Sequence, residues 1–163
     1  MSFRNLGWVV VALLLTLSAG TASAQALNLP YGAPINLDTA KRVAAAAVAE
    51  ARKNNWAMAF AVVDPSGELV YFEKIDGTQT ASIAIAQDKS RTAARFKRAT
   101  KVFQDAVEKG GVELRYLGLN GVTPAEGGVP IVMNGFIVGA IGVSGGTGAQ
   151  DAQCAAAGAA AIK

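Results

Sequence analysis

Six basic side chains crowd a short stretch in the middle of this 163-residue chain, and no acidic residue lies among them. They are Lys89, Arg91, Arg95, Lys97, Arg98 and Lys101. The three arginines are spaced at i, i+4 and i+7, so a helix would align them on one ridge, opposite Phe96 and Phe103. One explanation is a solvated face. The other is an anionic partner, which guanidinium groups bind through paired hydrogen bonds: a carboxylate or phosphate ligand, tetrapyrrole propionates, or an acidic patch of another subunit.

Ser82, Lys89 and Thr92 fall on the same predicted helix at spacings that let all three face one cleft. A serine–lysine pair can act as nucleophile and base, but no oxyanion-donor motif accompanies this one. We therefore expect these residues to bind a ligand and assign no catalytic residue.

Two carboxylates flank a glycine-rich hairpin near the C-terminus. Glu126 immediately precedes one Gly-Gly pair, and Asp151 follows shortly after another. Two neighbouring carboxylates could hold a cation or act as acid and base. Asp151 is equally well explained as a favourable charge in the first turn of the last helix.

The glycines of this hairpin form part of the predicted site. Gly127 and Gly128 lie at its start, and Ser144, Gly145 and Gly146 lie at its end. Glycine removes side chains from a sheet surface and its rim, where a ligand or another backbone can approach closely. We expect a ligand between the helix from Ser82 to Arg98 and this hairpin.

Residue counts exclude several classes of function. Histidine is absent and Cys154 is the only cysteine. The chain therefore has no Ser-His-Asp or Cys-His catalysis, no histidine-ligated zinc, no proximal histidine for haem and no internal disulfide. The net charge of +3 is mild and no aromatic residues interleave the charges, so nucleic-acid binding is not expected.

The N-terminus has the layout of a secretory signal peptide. Arg4 precedes an apolar stretch over residues 6–19, and Ala22-Ser23-Ala24 is a small-x-small cleavage site. As a helix the stretch would span about 21 Å, short of the roughly 30 Å bilayer core. We expect cleavage after Ala24, a periplasmic or secreted protein without a permanent membrane anchor, and one domain over residues 25–163.

Periodicity and turn residues predict the order helix, hairpin, helix, hairpin, helix. The first helix starts at Asn36 and stops at Asn54. The first hairpin covers residues 56–75, and the second covers residues 127–144 around an Asn-Gly turn. A long middle helix, capped by Thr78 or Thr80, runs to about Lys109 with a break near residue 100.

A short strand at residues 113–119 and a last helix over about 148–162 complete the prediction. Hairpin-joined strands pair antiparallel, and helices of this length cover sheet faces. The expected fold is α+β, a single layered domain with an antiparallel sheet of about five strands flanked by helices.

Two sequence blocks carry a family resemblance. They are Ser82-Ile-Ala-Ile-Ala-Gln-Asp-Lys-Ser-Arg-Thr-Ala93, and Glu126-Gly-Gly-Val-Pro-Ile131 with Gly139-Ala-Ile-Gly-Val-Ser-Gly-Gly146 and Asp151. In this combination and order the chain resembles the GlcG/HbpS family, also called the haem-degrading domain family, from about Leu37 to Ile162. The resemblance implies an antiparallel sheet flanked by helices, homo-oligomers built by packing those helices and, in some members, binding of haem or a related tetrapyrrole.

Three functions follow as hypotheses. The first is an exported, oligomeric binding protein for haem or another small anionic ligand. Without histidine, the iron would take a Tyr, Met, Lys, Thr or Cys ligand or stay weakly ligated, and the candidates are Tyr31, Tyr116, Met133, Thr92 and Lys89. The second is an enzyme that acts on a small carboxylic acid or degrades haem, with Glu126 or Asp151 as acid or base. The third is a structural module whose basic ridge meets acidic residues of a neighbouring subunit.

Overall fold

The computed structural model describes residues 28–162, so the predicted signal peptide and its cleavage site lie outside the described residues. Helix α1, Leu37–Lys53, begins where predicted, because the Asn36 side chain accepts a hydrogen bond of 2.9 Å from the Thr39 amide. Its apolar face is buried. Within residues 28–162, no helix combines the length and the apolar character needed to cross a bilayer.

The first hairpin consists of β1, Ala59–Val63, and β2, Leu69–Lys74. The Asp64 carboxylate organises the turn by accepting the amides of Ser66 at 2.8 Å and Glu68 at 2.9 Å. Every residue of β1 is buried, as its continuous apolar run predicts for a strand covered on both faces.

The second hairpin consists of β3, Gly128–Met133, and β4, Phe136–Ser144. Asn134 and Gly135 have φ values of 50° and 79°, the positive angles that an Asn-Gly hairpin turn requires. The strands form one antiparallel sheet in the order β2-β1-β4-β3. Within the described residues the sheet has four strands, so the predicted count of about five was wrong.

The middle of the chain forms two separate helices. Helix α2, Ser82–Phe96, ends because Lys97 adopts a left-handed conformation with φ of 53°, and α3, Lys101–Lys109, follows. The break near residue 100 is confirmed. The predicted caps are wrong: α2 has no side-chain cap, and the Thr78 hydroxyl donates to the Ile75 carbonyl instead.

The predicted strand at residues 113–119 is also wrong. This stretch forms a 3-10 helix, Gly111–Gly118, entered through two glycines with positive φ. Val112, Leu114 and Tyr116 alternate with Glu113 and Arg115, which is the pattern that predicted a strand. Instead the Tyr116 ring packs edge-on against Phe103 of α3, with ring centres 5.2 Å apart.

The sheet separates two helical layers. Phe60 and Val62 of β1 face a core shared with α1 and with α4, Gly148–Ala160. The alternate residues Ala59, Ala61 and Val63 face α2. The strict alternation along β1 therefore places α2 alone on one face of the sheet, and α1 and α4 on the other.

Candidate functional site

Lys89 and Asp151 form a buried ion pair that joins the two helical layers. The Lys89 Nζ lies 2.7 Å from Asp151 Oδ2 and donates to the Val143 carbonyl at 3.1 Å. Asp151 Oδ1 accepts the Gly146 amide at 3.0 Å. Each residue is only 3% exposed. The pair therefore connects α2, the end of β4 and the first turn of α4 out of contact with bulk water.

Burial is the largest influence on the Asp151 carboxyl and raises its pKa. The hydrogen bonds from Lys89 and from the Gly146 amide act in the opposite direction and favour the carboxylate. The negative charge is thus matched by an ammonium group within the protein. This pairing leaves neither side chain facing solvent as a partner for an external ligand.

The glycines of the second hairpin make room for protein atoms. A Cβ at Gly127 would lie 2.7 Å from the Cβ of Asp151 and 3.0 Å from the Lys89 Nζ. A Cβ at Gly128 would overlap the Lys89 carbonyl oxygen, and one at Gly142 would overlap that of Ala86. Atoms of helix α2 therefore occupy the space beside these glycines, between helix and hairpin, in which we predicted a ligand.

Gly145 and Gly146 are filled in the same way. A Cβ at Gly145 would lie 2.8 Å from the Met58 Cα, and one at Gly146 would lie 2.8 Å from the Met58 Cε. Backbone atoms of Ala57 and Met58 approach Gly145, so this glycine lets the exit of β4 pass over the chain that leads into β1. Gly146 is approached by the side chains of Met58 and Gln150.

Ser82, Lys89 and Thr92 do not meet in one cleft. The Ser82 hydroxyl lies 3.1 Å from the hydroxyl of Ser144, and both serines are buried. Thr92 Oγ1 contacts the Asp88 carbonyl at 2.8 Å and the Gly121 carbonyl at 2.9 Å. Because each polar group has a different partner, the serine–lysine dyad that catalysis would require is not assembled.

Glu126 and Asp151 are not paired either. The Glu126 amide donates to Gln104 Oε1 at 2.9 Å, and a Cβ at Gly148 would lie 3.2 Å from the Glu126 Cβ. Glu126 thus lies beside the start of α4, whereas Asp151 is held by Lys89. Within residues 28–162, no three acidic or cysteine side chains cluster closely enough to hold a metal ion.

Arg91 and Arg95 line an open cleft on the outer side of α2. We call it the arginine cleft; its volume is about 290 Å³. Arg91 contacts Asp88 at 3.3 Å and Gln87 at 3.2 Å. Arg95 donates to the Ser66 carbonyl at 2.7 Å. The cleft is lined by Asp88, Arg91, Arg95, Asn120, Gly121, Val122 and Thr123.

The predicted ridge of three arginines is shorter than its spacing indicates. Helix α2 ends before Arg98, whose Nε donates to the Phe96 carbonyl and whose guanidinium lies 5.6 Å from the Phe103 ring centre. The left-handed Lys97 causes this change of direction. Arg98 therefore lies with the two phenylalanines and not opposite them, and only Arg91 and Arg95 share the cleft.

Two features went unnoticed in the sequence. The first is the exposed apolar surface of residues 111–119, which we call the apolar segment. It leads directly into the cleft, and the Val122 amide donates to the Leu119 carbonyl at 3.3 Å. Four large side chains are exposed there by 44–72%: Val112, Leu114, Leu117 and Leu119. The apolar alternation at residues 112–116 indicated a strand, and no sequence signal distinguished it from an exposed 3-10 helix.

The second feature is a cavity of about 340 Å³ between residues 32–36 and the turn region of the second hairpin. Residues 32–36 form one wall, and Met133, Phe136 and Val138 form another. Of the residues named from the sequence as site or iron-ligand candidates, Met133 lines it. No spacing pattern joins these separate parts of the chain, so sequence alone did not reveal the cavity.

The arrangement was compared with known proteins. The family described as "Haem degrading protein HbpS-like" matches residues 35–160. The chain belongs to this family. Protein GlcG of Escherichia coli K12 is 44% identical over 105 residues, which are 64% of this chain and 77% of GlcG.

Two solved structures share the fold. The crystal structure of a double mutant of Streptomyces reticuli HbpS has a TM-score of 0.74 at 26% identity, and the match covers 98% of this chain and 99% of that one. A structure titled as a complex of PduOC with heme has a TM-score of 0.72 at 26% identity, covering 80% of this chain and 96% of that one. The family and the α+β fold predicted from the sequence blocks are confirmed.

Proposed function

We propose that this protein binds haem or a related small, flat, anionic ligand on the outer face of α2. The carboxylates of the ligand would enter the arginine cleft, and its apolar ring would lie across the apolar segment. The observation that supports this placement is that the apolar segment, with its four exposed apolar side chains, continues directly into residues 120–123, which line the arginine cleft. A ligand with an apolar body and acidic ends matches both parts.

The arginines can change partners at small cost. Their side chains are 35% and 46% exposed, and the carboxylates nearest to them, Asp88 and Glu68, are more exposed still. Ion pairs in such positions contribute about 0–1 kcal/mol, so an incoming carboxylate can replace them. The buried Lys89–Asp151 pair could not be exchanged in this way. We therefore assign ligand charge recognition to Arg91 and Arg95, and a structural role to Lys89 and Asp151.

The cleft volume limits what enters it. About 290 Å³ lies at the small end of the range for ligand pockets, so acid groups fit within it and a whole macrocycle would extend beyond it. The exposed leucines of the apolar segment would then cover one ring face. A homo-oligomer, which we also propose, would cover the other.

Tyr116 is the residue best placed to ligate iron on this face. Lys89 and Thr92 are buried in hydrogen bonds, and the Tyr31 hydroxyl donates to the Ala94 carbonyl at 2.9 Å. Met133 lines the separate 340 Å³ cavity. Tyr116 belongs to the apolar segment and has the Arg115 guanidinium 5.2 Å from its ring centre. Tyrosine is an established haem ligand.

The family relationship supports this proposal. The chain belongs to a family described as haem degrading, and one similar structure is of PduOC in complex with heme. These descriptions apply to the relatives. For this chain the support comes from the arginine cleft and the apolar segment together.

Titration of the purified protein with hemin tests the proposal. We expect a saturable shift of the Soret band at micromolar concentration, weakened about tenfold or more in Arg91→Ala with Arg95→Ala, because two charge-assisted hydrogen bonds are lost. Arg42→Ala, an exposed arginine on α1 across the sheet, is the matched control. No saturable shift in the wild-type protein, or equal affinity in the double variant and the control, would refute the proposal.

We further propose that the protein is exported and that its signal peptide is cleaved after Ala24. The supporting observation is the sequence pattern of residues 1–24. Mass spectrometry of protein from the periplasm or medium should give a chain that starts at Gln25. An intact N-terminus on protein confined to the cytoplasm would contradict this proposal.

A further inference from the structure

The loop over residues 119–123 forms one wall of the arginine cleft through its residues 120–123. The Val122 amide donates back to Leu119 within the loop. Gly121 has φ of +80°, which turns the chain sharply. The Thr92 hydroxyl connects the loop to α2 by hydrogen bonds.

Thr92 Oγ1 makes three contacts at the base of the loop. The Thr123 amide donates to it at 2.9 Å, and the carbonyls of Gly121 and Asp88 lie 2.9 Å and 2.8 Å away. A hydroxyl has one proton, so the two carbonyls compete for it, whereas the bond from Thr123 is always available. A threonine in a helix ordinarily bonds only the carbonyl four residues back, here that of Asp88. The contacts with Gly121 and Thr123 go beyond this local role.

Thr92 cannot itself contact a ligand, since it is 0% exposed. It lies on α2 between the two arginines of the cleft. We propose that Thr92 is a positioning residue, which sets the distance between the wall at residues 119–123 and the guanidinium groups of Arg91 and Arg95. This inference rests on the proposed function of the arginine cleft. The sequence predicted that Thr92 contacts the ligand directly, and the inference assigns Thr92 this indirect role instead.

Thr92→Val tests the inference, because valine keeps the shape and removes the hydroxyl. We expect the amides of residues 121–123 to exchange with solvent about three- to tenfold faster, the equivalent of one ordinary hydrogen bond. Hemin affinity should fall by a similar factor. Thr92→Ser restores the hydroxyl and should return both quantities to within about twofold of wild type. Thr80→Val, the same change at an exposed threonine before α2, should alter neither.

The amides of β1 provide an internal control, because their exchange reports the global fold. If Thr92→Val fails to fold, Thr92→Ala and Thr92→Ser provide the comparison. Unchanged exchange at residues 121–123 without the hydroxyl would overturn the inference, as would faster exchange with unchanged hemin affinity. If the wild-type protein binds no hemin, the proposed function fails, and Thr92 as a positioning residue for ligand fails with it. Faster amide exchange of the loop in that case would show only that the Thr92 hydroxyl stabilises the loop.

Discussion

Breaking the buried pair of Lys89 and Asp151 should destabilise the protein strongly. Lys89→Met leaves the Asp151 carboxylate buried without its ammonium partner, and loss of one partner of a buried pair costs about 3–5 kcal/mol. For a domain of roughly 135 residues, the unfolding entropy of about 2.1 cal/mol/K per residue converts this cost into a fall in Tm of about 10–18 °C.

The chain contains a matched control for this prediction. Lys101 and Asp105 have the same 2.7 Å separation between Nζ and Oδ1, but their side chains are 50% and 38% exposed. An exposed i,i+4 pair contributes little to stability, so Lys101→Met should leave Tm nearly unchanged. Because the charged atoms of both pairs are 2.7 Å apart, the difference in Tm between the two lysine variants measures the effect of burial.

A double variant separates pairing from packing. Lys89→Met with Asp151→Leu removes both charges, and apolar replacement of a whole buried pair is often neutral or stabilising. Thermal and urea unfolding of the single and double variants should therefore show the double variant recovering most of the loss. If Lys89→Met costs no more than Lys101→Met, or if the double variant is as unstable as the sum of the singles, the reasoning fails.

Further predictions concern close packing and the thiol. Gly142→Ala should cost about 1–3 kcal/mol, because its Cβ would overlap the Ala86 carbonyl, whereas Gly118→Ala has no neighbour within 4 Å and should change urea stability little. Cys154 is buried and its pKa is raised to about 11 from 9.0, so the native protein should not react with a thiol reagent at pH 8 until it unfolds. The raised pKa also means that the unfolded state loses the thiol proton first as pH rises. Wild type should therefore lose stability from about pH 9 to 11 relative to Cys154→Ala, and parallel pH profiles would contradict this.

The layered fold was predictable because its signals are local. The Asn36 cap, the fully apolar β1 and the Asn134-Gly135 turn each act within a few residues. Apolar periodicity then fixes which faces are buried. The errors lie where the local signal is misleading. The segment after Gly111 alternates apolar and polar residues as a strand does, but it forms a 3-10 helix whose Tyr116 packs on Phe103.

The candidate site was predictable only in its residue types. Lys89 and Asp151 are 62 positions apart, and nothing in their spacing shows that they pair. The glycines correctly indicated that other atoms approach the hairpin backbone closely. A Gly-Gly sequence permits the close approach of a helix backbone as well as of a ligand, so it does not distinguish between them. The left-handed Lys97 turned Arg98 away from the ridge, because one residue with positive φ ends a helix whatever the charge pattern.

Amide chemical-shift mapping tests the central claim most directly, namely that ligand binds at the arginine cleft and the apolar segment. Gallium protoporphyrin, a diamagnetic analogue of haem, would be titrated into protein labelled with nitrogen-15. We predict that the largest shifts cluster at residues 88–95 and 111–123. Shifts concentrated instead around the cavity at residues 32–39 and 133–138, or no saturable shifts, would contradict the account.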